Sequence, residues 1–483
     1  MATGSVSRAW PGLLTLVTVT ACNPPCEGAD CAVTYARAAV RRLDAASLVG
    51  GTADLAVPDA TCLGEGGLGH GWALAGGAGE VWVGMGAADR VQRVDGALLA
   101  GDCALSLSTE GAIYPSTSGE AFGSALDWQD HGDGTGDLLV GAPAASFGPT
   151  LQAAGQAYLF RDLSPAALGT LIGTSATAAV RGDGSQLRLG ERVALCGDLD
   201  GDGVTDAAVA ATGAELQAPL AGAVFVLGGG TTGGSIDAGQ LQRLDGGVGG
   251  EGFGRALWCA GSLDGDGLAD LVVGAPWAPD ATGRLRAGAV TLHRGGALGV
   301  GEAAWTARGS FDADELGAAL AFGDVDGDGV VDLLVGAPGV TGDSGDNDLR
   351  GAVYGWSGAA ILDALTPPQV SPESGPPDWT WRGVDDWGRF GADLSLADLD
   401  GDGVAELLVG APSATAADGS LNAGAVYLFP GEPGGPPEEL RADDPGVLSL
   451  ELLRPFTEAG RGLAWLGGAE APSALVVGTR EPD

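Results

Sequence analysis

The feature that most constrains this chain is a loop of aspartates and glycines that recurs at one place in a longer repeat. The stretch "GDVDGDGVVDLLVGAP", residues 323–338, sets Asp324, Asp326, Asp328 and Asp332 at loop positions 1, 3, 5 and 9. "GDLDGDGVTDAAVAAT" places Asp198, Asp200, Asp202 and Asp206 in the same way. "GSLDGDGLADLVVGAP" offers Ser262, Asp264, Asp266 and Asp270, and "ADLDGDGVAELLVGAP" offers Asp398, Asp400, Asp402 and Glu406. Such crowding of like charge is unfavourable unless a cation relieves it. A hard divalent ion with oxygen ligands fits, and calcium takes six to eight of them. The backbone carbonyls at position 7, from Val204, Leu268, Val330 and Val404, would add to the side-chain oxygens. The plain alternative is a solvated acidic turn. The expectation is about four Ca²⁺ sites. A fifth copy, "DWQDHGDGTGDLLVGAP", keeps Asp133 and Asp137 but has an irregular first half, and it is left open.

An EF-hand needs a glutamate at loop position 12 and flanking helices. Position 12 of the first-quoted loop is Val335, and the run "DLLVGAP" reads as a short buried strand closed by Gly and Pro. The element is therefore strand, loop, strand. Each loop is preceded by a short marker: Phe122-Gly123, Leu189-Gly190, Phe253-Gly254, Leu316-Gly317 and Phe390-Gly391. Each closing strand is followed by another apolar run: "GQAYLF", "GAVFVL", "GAVTLH", "GAVYGW" or "GAVYLF". Weaker copies flank these five, one at 68–86 and one at 459–479, without the acidic loop. The marker glycines 69, 123, 190, 254, 317, 391 and 460 define seven repeats. Repeats of about four short strands with glycine turns predict a ring of small sheets, because one such sheet cannot cover both of its own faces.

Phe-Gly, the DxDGDGxxD loop and Gly-Ala-Pro, in this order, resemble the FG-GAP repeats of the integrin α-subunit β-propeller. The resemblance spans roughly residues 60–480. It implies an all-β, seven-bladed β-propeller with calcium in the loop between strands 1 and 2 of several blades, held by the residues named above. Nothing in the sequence resembles the integrin leg domains, and no C-terminal transmembrane helix follows. The expectation is a propeller on its own, with no integrin-like heterodimer implied.

The formal net charge is −40, and 23 Lys and Arg serve 483 residues. Four Ca²⁺ would return only eight positive charges. A surface this acidic lacks the basic footprint of a nucleic-acid binder and any attraction to anionic lipid. The N-terminus, "MATGSVSRAWPGLLTLVTVTAC", has one basic residue, Arg8, before a short apolar run. The run is too short to span a membrane and fits a signal peptide over residues 1–21. "Val-Thr-Ala-Cys" resembles a bacterial lipobox, which would make Cys22 a lipidated first residue; an ordinary secretory peptide, with Cys22 in a disulfide, is the alternative. On this division residues 22–50 are a tether that also supplies ring-closing strands, and 51–483 form the propeller. The closing strands are expected in "CAVTYA" from Cys31 and "AASLVGG" from Ala45, because the seventh repeat stops after two strands. Exported cysteines point to disulfides. The pairs proposed are 26–31, 62–103 and 196–259. The last carries an objection: its two cysteines sit one position out of register in their repeats, so their side chains point to opposite sides of their strands.

Function is less constrained. Three histidines, His70, His131 and His293, are scattered, and no nucleophile, zinc or P-loop pattern is present. The expected function is a non-catalytic, exported, calcium-stiffened platform for an extracellular protein or glycan. It would sit at the outer membrane or cell surface through an N-terminal lipid only, or else be periplasmic or secreted. A propeller-based polysaccharide lyase or hydrolase is the alternative. The tripeptide Arg181-Gly182-Asp183 coincides with an adhesive motif, but "RLDGG", "RGSFD" and "RGVDD" stand at equivalent places, which makes it a recurrent turn. Variable loops carry Trp277 and Trp387, either as ligand contacts or as packing under a loop.

Overall fold

A computed structural model describes most of residues 112–466, together with the strands 14–21, 35–43, 53–54, 62–65, 72–77, 80–85, 90–95 and 474–480. The segments 165–169, 215–219, 343–347, 366–375, 399–401, 452–457 and 467–473, and some single positions, are not described. The described residues form strands throughout, with one α-helix, Gly358–Leu365. No described helix is long and apolar enough to cross a membrane.

The described strands pair into seven sheets, and in six of them the centre is an antiparallel meander; in the sheet that joins the two ends of the chain a central pair is parallel. Blade 5 shows the plan. Ala319–Gly323 pairs with Asp332–Ala337, that strand with Ala352–Trp356, and that one with Trp379–Arg382. The first strands of the blades are Trp72–Gly77, Ala125–Asp130, Leu189–Cys196, Ala256–Ala260, Ala319–Gly323, Asp393–Ala397 and Gly462–Leu466. Each of these touches the first strand of the next blade, and the last touches the first, so the ring closes. The chain is an all-β propeller.

Strand 2 is a continuous apolar run because both of its faces are covered; Asp332–Ala337 is buried along its whole length. Alternate residues serve different interfaces. In blade 4, Leu271, Val273 and Ala275 pack against Val224 and Val226 of blade 3. Val272, Val290 and Leu292 pack against Leu333 and Val335 of blade 5. The core is thus a set of walls between blades rather than one central mass.

The Phe-Gly and Gly-Ala-Pro markers meet at these walls. Gly317 N donates to Gly336 O within blade 5 at 3.0 Å, and Gly391 N does the same to Gly410 O within blade 6 at 3.1 Å. The Gly391 carbonyl also presses on Gly336 of the preceding blade, where a Cβ would lie only 2.1 Å from that oxygen. Gly391 itself has φ +88, which only glycine adopts freely.

Straps tie successive blades. Ser235–Asp237, from the connection before strand 4 of blade 3, adds in parallel to strand 4 of blade 2. Glu439–Arg441 does the same to blade 5. Ala53–Asp54 adds to Leu448–Glu451 of blade 6, so the N-terminal part of the chain works as the missing half of blade 7.

That half differs in detail from the sequence expectation. Ala474–Arg480 pairs with Leu14–Ala21, which pairs with Tyr35–Leu43, which pairs with Cys62–Glu65. The place beside strand 2 that was expected for "CAVTYA" is taken by Leu14–Ala21, and the last two residues of that run, Tyr35 and Ala36, open the strand one place further out. "AASLVGG" lies outside the described residues. Leu14–Ala21, read above as the apolar part of a leader, is an inserted strand parallel to Ala474–Arg480. Its alternation of Leu and Val with Thr suits a strand as well as it suits an apolar export segment.

Candidate metal-binding loops

Each acidic loop joins strand 1 to strand 2 of a blade, and its aspartates first fold the loop on itself. In blade 5, Asp324 Oδ1 accepts from Gly327 N at 2.6 Å and Oδ2 from Gly329 N at 2.8 Å. Asp326 Oδ1 accepts from Asp328 N, and Asp328 Oδ1 from Val330 N. Blade 3 repeats the pattern: Asp198 accepts from Gly201 N and Gly203 N, Asp200 from Asp202 N, and Asp202 from Val204 N. These bonds aim the carboxylates at one point. Ligand oxygens of Asp198, Asp200 and Asp206 all lie within 4.8 Å of one another, and so do those of Asp324, Asp326 and Asp332.

Position 9 is different from the rest. Asp206, Asp270 and Asp332 are buried at the start of strand 2. Asp332 Oδ2 accepts from Val325 N at 2.8 Å and Oδ1 from Gly358 N at 2.9 Å, which fastens the loop to the end of strand 3. Burial pushes Asp332 up to about 7 and Asp270 up to about 6, and neighbouring loop carboxylates push in the same direction. Asp206 is raised for the same reasons. A divalent cation at the convergence point would reverse this penalty, since opposite charge favours the ionised form. The donor set, carboxylate and carbonyl oxygen only, fits calcium.

The loops also dock on neighbouring blades. Asp198 O accepts from Ala269 N of blade 4, and Asp324 O accepts from Ala405 N of blade 6, both at 2.7 Å. An ion that stiffens one loop therefore stiffens the wall beside it.

The other loops are less alike. In blade 6, Asp398 accepts from Gly403 N and Asp402 from Val404 N, and Glu406 is buried; Asp400 lies outside the described residues. In blade 4, Ser262 Oγ takes the role of Asp198 and accepts from Gly267 N, while Leu268 N donates to Asp266. In blade 2, a group that sequence left open does form: His131, Asp137 and Asp162 converge within 4.8 Å. His131 Nε2 lies 3.4 Å from Asp137, and the Arg161 guanidinium pairs with Asp137 at 2.6 Å.

Cys196 and Cys259 form a disulfide with Cα atoms 4.8 Å apart. The register objection dissolves on geometry. Cys196 stands opposite Asp206, whereas Cys259 stands opposite Leu271, one step from Asp270. Facing blades present opposite faces to their shared wall, so two cysteines on neighbouring first strands must differ by one step to meet. Cys22, Cys26, Cys31 and Cys103 lie outside the described residues.

Trp277 is half-buried between the guanidinium groups of Arg255, 4.9 Å from its ring centre, and Arg286, 5.8 Å away. Trp387 is 55% exposed, with φ +65. Arg181 is engaged by Asp237 at 2.6 Å and lies over Phe147. Gly182 N donates to Gly155 O, as Gly246, Gly309 and Gly383 do to Gly222, Gly288 and Gly351 in the later blades. The tripeptide is thus the repeat's own turn. His293 is buried, with Nδ1 3.0 Å from Gly301 O, and burial holds its pKa below the usual range.

The FG-GAP repeat family matches residues 316–356 and 390–429, the first three strands of blades 5 and 6, and the FG-GAP-like repeat family matches 263–335. The chain is an integrin-α-like FG-GAP repeat protein. Integrin alpha-4 of Xenopus laevis is 35% identical over 165 residues, 32% of this chain and 14% of that protein. Integrin alpha-PS2 of Drosophila melanogaster is 31% identical over 231 residues, 46% of this chain and 15% of that protein. Phosphatidylinositol-glycan-specific phospholipase D of Rattus norvegicus is 31% identical over 225 residues, 44% of this chain and 24% of that protein. The FG-GAP chain therefore spans less than a quarter of each of these relatives, and the likeness lies in the repeat.

Proposed function

We propose that this FG-GAP propeller is an exported, calcium-stiffened, non-catalytic platform for an extracellular protein or glycan, held at a membrane by a lipid on Cys22. The observation that carries the metal part is the convergence of three carboxylates in each of blades 3 and 5. The integrin relatives support an extracellular binding role. Trp387 and the variable loops beside it, on the face away from the calcium loops, are the surface proposed for the partner.

A chelator titration followed by thermal unfolding tests the metal part. Each site at a hundredfold excess over its dissociation constant adds about 2.7 kcal/mol, so chelation should lower the melting temperature steeply; an unchanged curve overturns the assignment. A glycan and protein array probed with the calcium-loaded chain tests the platform, with binding lost in Trp387→Ala as the expected result. The phospholipase D relatives favour a second reading, that the propeller serves an enzyme. Release of product from glycosylated phosphatidylinositol or acidic polysaccharide by the purified chain would establish it instead.

A further inference from the structure

The loops do not all have the same charge. Blades 3, 5 and 6 each carry four carboxylates at positions 1, 3, 5 and 9. Blade 4 has three, with Ser262 at position 1, and blade 2 has only Asp133 and Asp137 among the same positions. A second difference lies about thirty residues further on, where sequence gives no hint that it belongs to the loop. The residue just after position 9 pairs across the sheet with Phe160, Leu227, His293, Trp356 and Phe429 in blades 2 to 6. The next residue along strand 3 is Arg161 in blade 2 and Arg294 in blade 4. It is Gly228, Ser357 and Pro430 in blades 3, 5 and 6. The two blades poor in carboxylates are the two with an arginine there.

Both arginines turn back onto their own loop. Arg294 Nε lies 3.3 Å from Asp264 Oδ2, at loop position 3, and its Nη2 donates to Leu365 O at the end of the helix in blade 5. Arg161 Nη1 donates to Asp137 Oδ2, at position 9, and its Nη2 to Thr205 O and Gly229 O of blade 3. Asp264 lies against this cation, and among the described residues the carboxylates of blade 4 do not form a convergent group like those of blades 3 and 5. In blade 2 His131, Asp137 and Asp162 do converge, but the Arg161 guanidinium already holds Asp137 Oδ2 at 2.6 Å.

We infer that Arg161 and Arg294 are built-in substitutes for the metal, so that blades 2 and 4 hold their loops without calcium and the chain binds three ions, in blades 3, 5 and 6, rather than four. The guanidinium supplies the positive charge and, through its second arm, a bond to the next blade. This is the wall-stiffening role that an ion would have. The inference rests on the calcium reading of the other loops. Loop charge count is a main determinant of calcium affinity, and a guanidinium beside the position-3 carboxylate both lowers that count and repels an incoming dication.

Native mass spectrometry of the calcium-loaded full chain reads the ion count. Three ions are expected for the wild type, two for Asp326→Asn, and still three for Asp264→Asn. The double variant Ser262→Asp/Arg294→Gly should gain a fourth. Four ions in the wild type, or loss of an ion in Asp264→Asn, overturns the inference and leaves the other loops' assignment intact. No ions at all overturns that assignment. The arginine's role is read separately in excess chelator, by a double-mutant cycle of Asp264→Asn and Arg294→Gly on the melting temperature. A non-additive pair is expected, with the second substitution costing less once the first is made. Strict additivity refutes the pairing whether or not metal binds elsewhere.

Discussion

Replacing Gly336 by alanine tests the account of how blades meet. A Cβ at Gly336 would stand 2.1 Å from Gly391 O and 3.2 Å from Ala319 Cβ. A carbon and an oxygen in ordinary contact need a little over 3 Å, so the wall between blades 5 and 6 must open by about 1 Å. Gly391 cannot swing its carbonyl aside easily, because the N–H of the same peptide unit, on Ala392, is held by Arg389 O and Gly410 O. Overpacking of this kind costs about 1–3 kcal/mol, and the upper half of that range is expected here because backbone rather than a flexible side chain is struck. Gly329→Ala is the control. Its added Cβ meets nothing within 4 Å, but its φ of +84 leaves a conformational cost of about 1 kcal/mol. Urea unfolding followed by circular dichroism at saturating calcium measures both. Gly336→Ala losing less than Gly329→Ala would refute the claim that glycine is kept there for close approach. Blade 3 provides a natural comparison, since Ala210 takes this place and the pairing of its first two strands shifts register between Leu189 and Arg192.

Three further outcomes follow from particular contacts. Asp393 accepts from Leu463 N of the next blade, and burial pushes its pKa up to about 7. A raised carboxylate favours the folded state fully below its ordinary value near 4, and that advantage is lost as pH rises through 7. Asp393→Asn should therefore raise stability at pH 8 by about 2 kcal/mol, part of the full shift, and leave it unchanged at pH 4, in melts run at both; equal effects at the two pH values would refute it. The Cys196–Cys259 bridge closes a loop with a sequence separation of 63, for which chain entropy gives about 4 kcal/mol. The paired Cys→Ala variant should lose stability on that order, and no change under non-reducing conditions would count against the bridge. Removing residues 1–21 should leave the fold standing, because Tyr35–Leu43 runs antiparallel to Ala474–Arg480 and can pair with it directly once Leu14–Ala21 is gone. A large loss of melting temperature would show the inserted strand to be structural.

The strands, the order of the repeat and the loop aspartates were legible because each is a local pattern: an apolar run, a glycine marker, a fixed spacing. What was not legible depends on which face of a blade meets which neighbour. The one-step offset of Cys196 and Cys259 counts against a bridge within one sheet and is required for a bridge across a wall. Arg294 is a loop residue only because strand 3 returns beside the loop. Its signal was present in the recurrence of arginine after "GQAYLF" and "GAVTLH", but it was masked by distance along the chain. The third place in blade 7 was assigned to "CAVTYA" because that run looks like the other third strands, while Leu14–Ala21, which takes the place, reads equally well as a leader and as a strand.

The seventh blade joins segments made at opposite ends of synthesis. Leu14–Ala21 lies beside Ala474–Arg480, more than four hundred positions later, and Tyr35–Leu43 follows it in the same sheet. At a translation rate of about 5–20 residues per second, that is a wait of roughly 20–90 seconds. Through that time blades 2 to 6 can assemble as an open arc, each walled by the next, while the first-made strands stay without their partner and the arc keeps a bare rim at each end. The ring is therefore a clasp that shuts last. Whatever carries the chain across a membrane must do so before it shuts, or must carry a closed ring.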